Sequence, residues 1–468
     1  MVFASLTFLY IFLPINLILY YLWNNKTYRN ILLTVMSLVF YAWGEPIWIG
    51  LLIFSSFLDF IHGLLIEKFR GTKWAKAPLI SCIIINLSIL GTFKYSGFLV
   101  DNLNLITGLH WKAPTYALPI GISFYTFQTL SYVLDVYKGE VKAQKSYLKF
   151  LLFVSLFHQL VAGPIVRYAH IANEIDNRKI RVNDISAGIS RFCIGLFKKI
   201  CIANVAGELV ANYMGGDLST LAFSEAWFGI LMFTIQIYFD FSGYSDMAIG
   251  LGRMVGFHYH ENFNYPYTAK SAGDFWRRWH ISLGTFFRDY IYIPLGGNKK
   301  RAYINLFIVW LLTGLWHGAS WNFILWGLFW GALILIERLF LQKILTRIPQ
   351  FFSHIYLIFA VMIGWVLFYF IDTNKMFSYF KILFGQSNNI WHSNQFTTVF
   401  IENSYWLVLA LILCLPVYPW SNALIRKSPH LIQKTIPYAS VIFGVVLLFL
   451  STSMLVGKTF NPFLYFRF

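Results

Sequence analysis

Two histidines occupy apolar, aromatic surroundings where an imidazole is costly. His317 lies in GLWHGASWN (314–322), at the end of a run that begins LFIVWLLT. His280 lies in DFWRRWHISLGTFFRDYIYIPLGGN (274–298). A neutral imidazole with an ordinary pKa near 6.5 can take the proton of an attacking hydroxyl, help worth about 10²–10⁴-fold. One helical turn before His317 stand Thr313 and Gly314, and Gly318 and Ser320 follow it, so one side of its helix is slim and slightly polar. That side leaves room for a substrate, with Trp316 and Trp321 as walls. Thr313, Ser320, Asn322 and Gln128 join them as candidates for lining such a space. The plainer alternative is a histidine that only bonds a carbonyl of the next helix. Ionisable groups inside a membrane are functional candidates by default, and that favours chemistry at His317.

The 274–298 segment also carries Arg277, Arg278 and Arg288, and Lys299, Lys300 and Arg301 follow it directly. As an amphipathic basic helix it reads as an interfacial element held by anionic headgroups and aromatic rings. As a binding element it offers Arg277, Arg278, Arg288 and Lys299 to the phosphates of an activated donor, since guanidinium groups grip such oxygens in pairs. In QIYFDFSGYSDMAIGLG (236–252), Asp240 and Asp246 are six residues apart and face different sides of a helix, which favours structural hydrogen bonding over paired acid–base work. Gln128, Thr126 and Asp135, in LPIGISFYTFQTLSYVLDVYKGE (118–140), either line a cavity or glue helices together. The four cysteines, 82, 193, 201 and 414, form no CxxC pair and suggest neither a disulfide framework nor a zinc site, so no metal is expected. No P-loop, GxSxG, HExxH or dinucleotide fingerprint occurs. Energy for a reaction must therefore arrive in an activated substrate or a gradient.

The elements that position these residues are membrane helices. The chain of 468 residues is 58% apolar and only 12% charged, with a mean hydropathy of +0.60, whereas a soluble chain is about 25% charged. Its net charge of +17 comes mainly from short loops between apolar runs, as positive-inside topology predicts, and does not argue for nucleic acid. Apolar segments fall near 5–23, 30–43, 46–66, 78–97, 116–136, 147–165, 186–212, 225–250, 302–318, 321–337, 353–371, 405–422 and 436–456. The segments 147–165 and 186–212 are interrupted and read as re-entrant or flat. About 11 true crossings remain by length and hydropathy, in an all-α, polytopic architecture with one membrane domain over 1–468. The start, MVFASLTFLYIFLPINLILYYLW, reads as a retained first helix. Loops 24–29, 67–77 and 138–149 carry the Lys and Arg of one side, the cytoplasm, which puts both termini outside. The polar stretch 386–404 then faces outward. His317, 15 residues after Ala302, stands roughly 22 Å along its helix, beyond the midplane.

Taken together, FYAWGEP, LPIGISFYTFQTLSYVLDVYKGE, QIYFDFSGYSDMAIGLGRMVGF, NFNYPY, the two histidine segments and the end NPFLYFRF resemble the membrane-bound O-acyltransferase family. The likeness is greatest to its branch of bacterial alginate, peptidoglycan and cell-wall polysaccharide O-acetyltransferase membrane subunits, and more distant to the teichoic-acid D-alanylation protein. It covers nearly the whole chain, and 340–435 contributes least. The resemblance implies an all-helical bundle with a tunnel reaching a buried histidine from both sides. His317 matches the family's catalytic histidine. His280 matches its second functional position, a histidine in this branch and often asparagine elsewhere. It also implies acetyl-CoA as co-substrate with no bound cofactor, a bacterial cytoplasmic-membrane location, and transfer to an SGNH-type extracytoplasmic partner or to a polysaccharide.

Rival readings are a D-alanyl- or lipid-type acyltransferase, a transporter or flippase of acylated product, and a scaffold that only anchors a secreted enzyme. The missing paired halves speak mildly against inverted-repeat transporters.

Overall fold

The computed structural model describes residues 1–160, 163–457 and 463–464, without the side chains of 430–434 and 437. All regular structure among the described residues is helical. The helices needed below are α1 (Ile49–Lys68), α2 (Lys76–Thr107), α3 (Ile122–Lys138), α4 (Phe223–Met254), α5 (Ala272–Arg278), α6 (Ile281–Phe287), α7 (Ala302–His317), α8 (Trp321–Ile336), α9 (Gln350–Tyr369), α10 (Asn394–Leu413), α11 (Val417–Lys427) and α12 (His430–Leu455).

Among the described residues, six helical stretches are long and apolar enough to cross a membrane: Ile49–Lys68, Lys73–Thr107, Trp321–Leu345, Gln350–Tyr369, Asn394–Leu413 and Tyr438–Leu455. Phe8–Leu22 and α7 are apolar but shorter. The protein is a multi-pass membrane protein; length and composition qualify six spans against the roughly 11 expected from hydropathy. The expected break in 147–165 is present: one helix ends at Ser155 and a single turn covers Phe157–Leu160. The 186–212 segment differs, because helix runs from Val182 to Met214 through a π-helical stretch at Lys198–Ala203.

Two boundaries differ from the sequence expectation for local reasons. Helix α10 begins inside the polar stretch 386–404, ahead of the apolar run expected from 405, since Ser393 caps it by accepting the Phe396 N–H at 3.0 Å, and its hydroxyl donates to Glu225 at 2.6 Å. The apolar run 405–422 is not one segment, because α10 stops at Leu413 and Pro416 precedes a separate helix, α11.

The chain divides into two compact units, 1–192 with 244–261, and 193–243 with 262–468. The helix α4 contributes 223–243 to the second unit and 244–254 to the first. In the first unit, Phe3, Phe12, Phe40, Phe157 and Tyr244 form a ring cluster, with Phe3 stacked on Tyr244 at 4.5 Å and Phe12 edge-on to Phe157 at 5.3 Å. The Tyr20 hydroxyl donates to the Val255 carbonyl at 2.7 Å, and the Arg191 Nε donates to Asp246 at 2.7 Å.

The second unit is built on a helical hairpin, α7–α8, joined by Gly318–Ser320. The two backbones touch. A Cβ at Gly314 would lie 2.4 Å from the Phe323 carbonyl oxygen, and one at Gly327 would lie 2.5 Å from that of Trp310. Small residues permit this approach, as they do wherever membrane helices pack by contact and not by hydrophobic drive. A core of tryptophan and phenylalanine surrounds the hairpin: Phe275 stacks on Trp330 at 5.7 Å, and Trp276 meets Trp310, Trp326 and Trp330 at 5.0–5.4 Å.

Candidate active site

His317 is the last residue of α7, and the chain turns extended at Gly318. It is buried, with aromatic rings on several sides. Trp326 of α8 and Phe368 of α9 meet it edge-on at 4.8 and 5.1 Å, and Trp316 stands at 4.9 Å. The side of α7 that carries Gly314 does not open toward the imidazole as its sequence suggested. The α8 backbone takes up the space at Gly314, and the Phe323 ring takes up that at Gly318.

His280 precedes α6 and adopts a left-handed backbone, φ 44° and ψ 54°. Such a conformation in a residue other than glycine costs on the order of 1–3 kcal/mol and persists only where the surroundings enforce it. Asn262 is the enforcing residue. Its carbonyl accepts the Ile281 N–H at 2.9 Å. Its Oδ1 accepts the Ser282 N–H at 3.1 Å and the Ser282 hydroxyl at 2.9 Å. An oxygen bound by a backbone N–H cannot be exchanged for an amide nitrogen, so His280 Nδ1, 3.3 Å away, faces an acceptor and donates to it, with the Ser282 hydroxyl 3.4 Å from the same nitrogen. The other ring nitrogen, Nε2, then carries the lone pair. It is buried and has no hydrogen-bond partner among the described residues. His280 lies outside the candidate spans, and burial pulls its imidazole down to about 3, so it stays neutral at any ordinary pH. Phe241 meets its ring edge-on at 4.7 Å, and Trp316 stands 6.0 Å away. Trp316 thus stands within ring contact of both histidines.

The remaining sequence candidates have definite positions. Asn322 is fully buried and donates to the Leu367 and Phe368 carbonyls, both at 3.1 Å. It fixes the end of α9 and hence the Phe368 ring against His317. The Ser320 hydroxyl donates to Asn322. Thr313 bonds back to the Val309 carbonyl at 2.7 Å, within its own helix. Trp321 opens α8 and is half exposed. Gln128 belongs to the first unit, on α3, where both ends of its amide are buried without a partner among the described residues.

The basic residues differ from one another. Arg278 is held by Asp274 at 3.1 Å and by the Thr268 hydroxyl, and Arg288 is held by Asp289 at 2.6 and 3.2 Å. The Asp289 carboxylate raises the Arg288 guanidinium further above its usual value. Arg277 has a side chain 75% exposed and only a 3.7 Å approach to Asp274, and Lys299 is exposed. Asp240 and Asp246 both serve structure. Asp240 pairs with Lys199 at 2.5 Å and accepts the Leu464 N–H at 2.7 Å. Asp246 pairs with Arg191.

Sequence reasoning did not single out Asn262, Phe368, Trp326 or Phe241. A signal existed for Trp326, which stands four residues after Asn322 on the same face of α8. None existed for Phe368, which comes from a separate helix.

A sequence profile described as MBOAT, membrane-bound O-acyltransferase family, matches residues 140–380, half of the chain. The chain belongs to the membrane-bound O-acyltransferase family. As a member it is a membrane acyltransferase, and the two histidines lie in the second unit of an acyltransferase fold. A protein named probable alginate O-acetylase AlgI, from Azotobacter vinelandii, is 37% identical over the full length of both chains. A peptidoglycan O-acetyltransferase from Helicobacter pylori is 30% identical over all of this chain and 98% of its own. A teichoic acid D-alanyltransferase from Bacillus subtilis is 28% identical over 47% of this chain and 59% of its own.

Proposed function

We propose that the protein moves an acetyl group from a cytoplasmic thioester, acetyl-CoA, to an acceptor hydroxyl at the outer side of the bacterial cytoplasmic membrane. The acceptor is an exopolysaccharide or cell-wall glycan, reached directly or through an SGNH-type partner. The observation that carries this reading is the pair of buried histidines, 280 and 317, meeting one tryptophan, with His280 presenting a neutral, unengaged Nε2. The full-length likeness to proteins named as O-acetylating enzymes supports acetyl as the group transferred.

In this reading His317 is the general base. It accepts the proton of the attacking hydroxyl as the oxygen bonds to the thioester carbonyl carbon. The carbon–sulfur bond then breaks, and the thiolate leaves to take up a proton. A covalent acyl-imidazole at His317 is the variant route. His280 receives a hydrogen bond from donor or acceptor at Nε2. The Trp326 indole N–H, buried beside His317 with no partner among the described residues, suits a carbonyl oxygen that gains negative charge. The surrounding rings exclude water and so limit hydrolysis of the thioester. Arg277 and Lys299, exposed and less committed to carboxylates than Arg278 and Arg288, are the better candidates for the donor's phosphates.

The test uses proteoliposomes supplied with radiolabelled acetyl-CoA on one side and acceptor glycan, with or without purified SGNH partner, on the other. Label should reach the acceptor side with wild-type protein and fall about 10²-fold or more with His317→Ala, the loss typical of a general base. Equal transfer by both would defeat the enzymatic role of His317. Transfer from a D-alanyl carrier protein but not from acetyl-CoA would move the assignment to D-alanylation. Export of product already acetylated, with no transfer, would make the protein a transporter.

A further inference from the structure

A second polar centre lies in the first unit, among residues that the acyl transfer proposed above does not use. Asp59 sits on α1, ten residues after Ile49 and nine before Lys68, roughly 15 Å from either end of an apolar helix. It is fully buried. A carboxylate at that depth requires a counter-charge or a proton. No Lys or Arg pairs with it among the described residues. Its Oδ1 accepts the Asn86 amide at 2.7 Å and the Cys82 thiol at 3.1 Å, both from α2. Its Oδ2 is buried, and the Thr129 hydroxyl of α3 is shared between the carboxyl group and the Thr126 carbonyl, 3.2 Å away.

His62 follows Asp59 by three residues on the same face of α1. Its Nδ1 lies 2.7 Å from the Leu58 carbonyl, which can only accept. Nδ1 is therefore protonated, and Nε2 keeps its lone pair, 3.2 Å from the Ser81 hydroxyl. The ligand atoms of Asp59, His62 and Cys82 all lie within 4.8 Å of one another, and all three residues are buried.

We propose that Asp59, His62 and Cys82 bind a divalent transition metal, Zn²⁺, inside the first unit and so fasten α1 to α2. Imidazole nitrogen, thiolate sulfur and carboxylate oxygen make a borderline-soft donor set that suits Zn²⁺ and does not suit Mg²⁺ or Ca²⁺. The charge balances: one dication against one thiolate and one carboxylate is neutral, as a low-dielectric site requires. Three bonds form, to nitrogen, sulfur and oxygen, and two protons are released to solvent, one from the Cys82 thiol and one from the Asp59 carboxyl, which holds its own in the absence of a counter-charge. Metal bonds of about 2.0–2.3 Å set tetrahedral ligands roughly 3.3–3.7 Å apart, so the site closes by about 1 Å of side-chain movement. The outer contacts are already made, with Nδ1–H on a carbonyl and the carboxylate on the Asn86 amide, as supports of metal-ligating residues usually are. Ser81 or a water completes the fourth position.

The experiment is metal analysis of the full-length protein, purified in detergent from zinc-supplemented cells and passed over a chelating resin. Wild type should carry about one zinc per chain, and Cys82→Ser and His62→Gln should each lose most of it. After exchange into Co²⁺, wild type should show a thiolate-to-cobalt charge-transfer band that Cys82→Ser lacks. If the variants do not fold, X-ray absorption at the zinc edge of wild type should still reveal one sulfur ligand. Wild-type protein without stoichiometric metal, metal without a sulfur ligand, or a folded Cys82→Ser with undiminished zinc each overturns the site. His317→Ala should keep its zinc while losing acyl transfer, so the two assignments fail separately.

Discussion

Asn262 helps to select the tautomer of His280, with the Ser282 hydroxyl beside the same ring nitrogen. By accepting from Ser282 twice and from His280 Nδ1, its one side-chain oxygen holds the ring's lone pair at Nε2. Replacing it with alanine leaves the imidazole free to turn or to change tautomer. Asn262→Ala should lower acyl transfer about 10–100-fold, the cost usual for outer supports of an active histidine, with far-UV circular dichroism unchanged. Asn262→Asp keeps an acceptor in place and should retain more of the rate than Asn262→Ala; the reverse order would refute tautomer control. The two histidines were legible because a polar ring in an apolar, tryptophan-rich run stands out at once. Asn262 was not, since NFNYPY offers an amide with no local reason to choose it over Asn264. Phe368 was hidden for the opposite reason. It is one apolar residue among many on α9, and only the Asn322 bonds to the end of that helix identify it as a wall of the site.

Among the elements, the α7–α8 hairpin carries the precision of the site. His317 is set at a helix end whose distance from its partner is fixed by Gly314 and Gly327, with nothing compressible between the backbones. In Gly327→Ala the new methyl meets the Trp310 carbonyl, a backbone atom that cannot swing away. The helices must part, at a cost of about 1–3 kcal/mol as for other overpacked cores. Thermal melting in detergent should report that loss, and acyl transfer should fall with it, because His317 moves relative to Trp326 and Phe368. Gly444→Ala, where a methyl meets nothing within 4 Å, is the matched control. Helix limits such as Ala302–His317 and Trp321–Ile336 were legible from hydropathy to within a residue or two. The start of α10 was not, because a capping serine and its Glu225 partner begin the helix inside a polar stretch, ahead of the apolar run at 405. The close approach at Gly314 was misread as space, since a missing side chain looks the same in sequence whether substrate or backbone fills the gap.

Over the whole molecule, low charge and long apolar runs made the membrane reading secure, and the buried charges specify how the chain is held. Lys199 and Asp240 form an ion pair with side chains 5% and 2% exposed, and Asp240 also receives the Leu464 N–H. Breaking it from one side strands the other charge, which typically costs about 3–5 kcal/mol. Lys199→Met or Asp240→Leu alone should therefore sharply reduce the yield of monodisperse protein in detergent, while the double variant recovers much of it. Additive losses would show that the pair is not coupled. The division into two units was not visible in sequence, because the first is discontinuous: it needs 244–261, where Val255 receives Tyr20 and Asp246 receives Arg191. That has a bearing on biosynthesis. Helices made early on the ribosome must wait, inserted but incompletely packed, until residue 261 has emerged, and the 193–243 stretch is synthesised in the meantime. Quality-control proteases at the membrane would meet this half-assembled stage first, and faster synthesis of the 193–261 stretch would shorten their access to it.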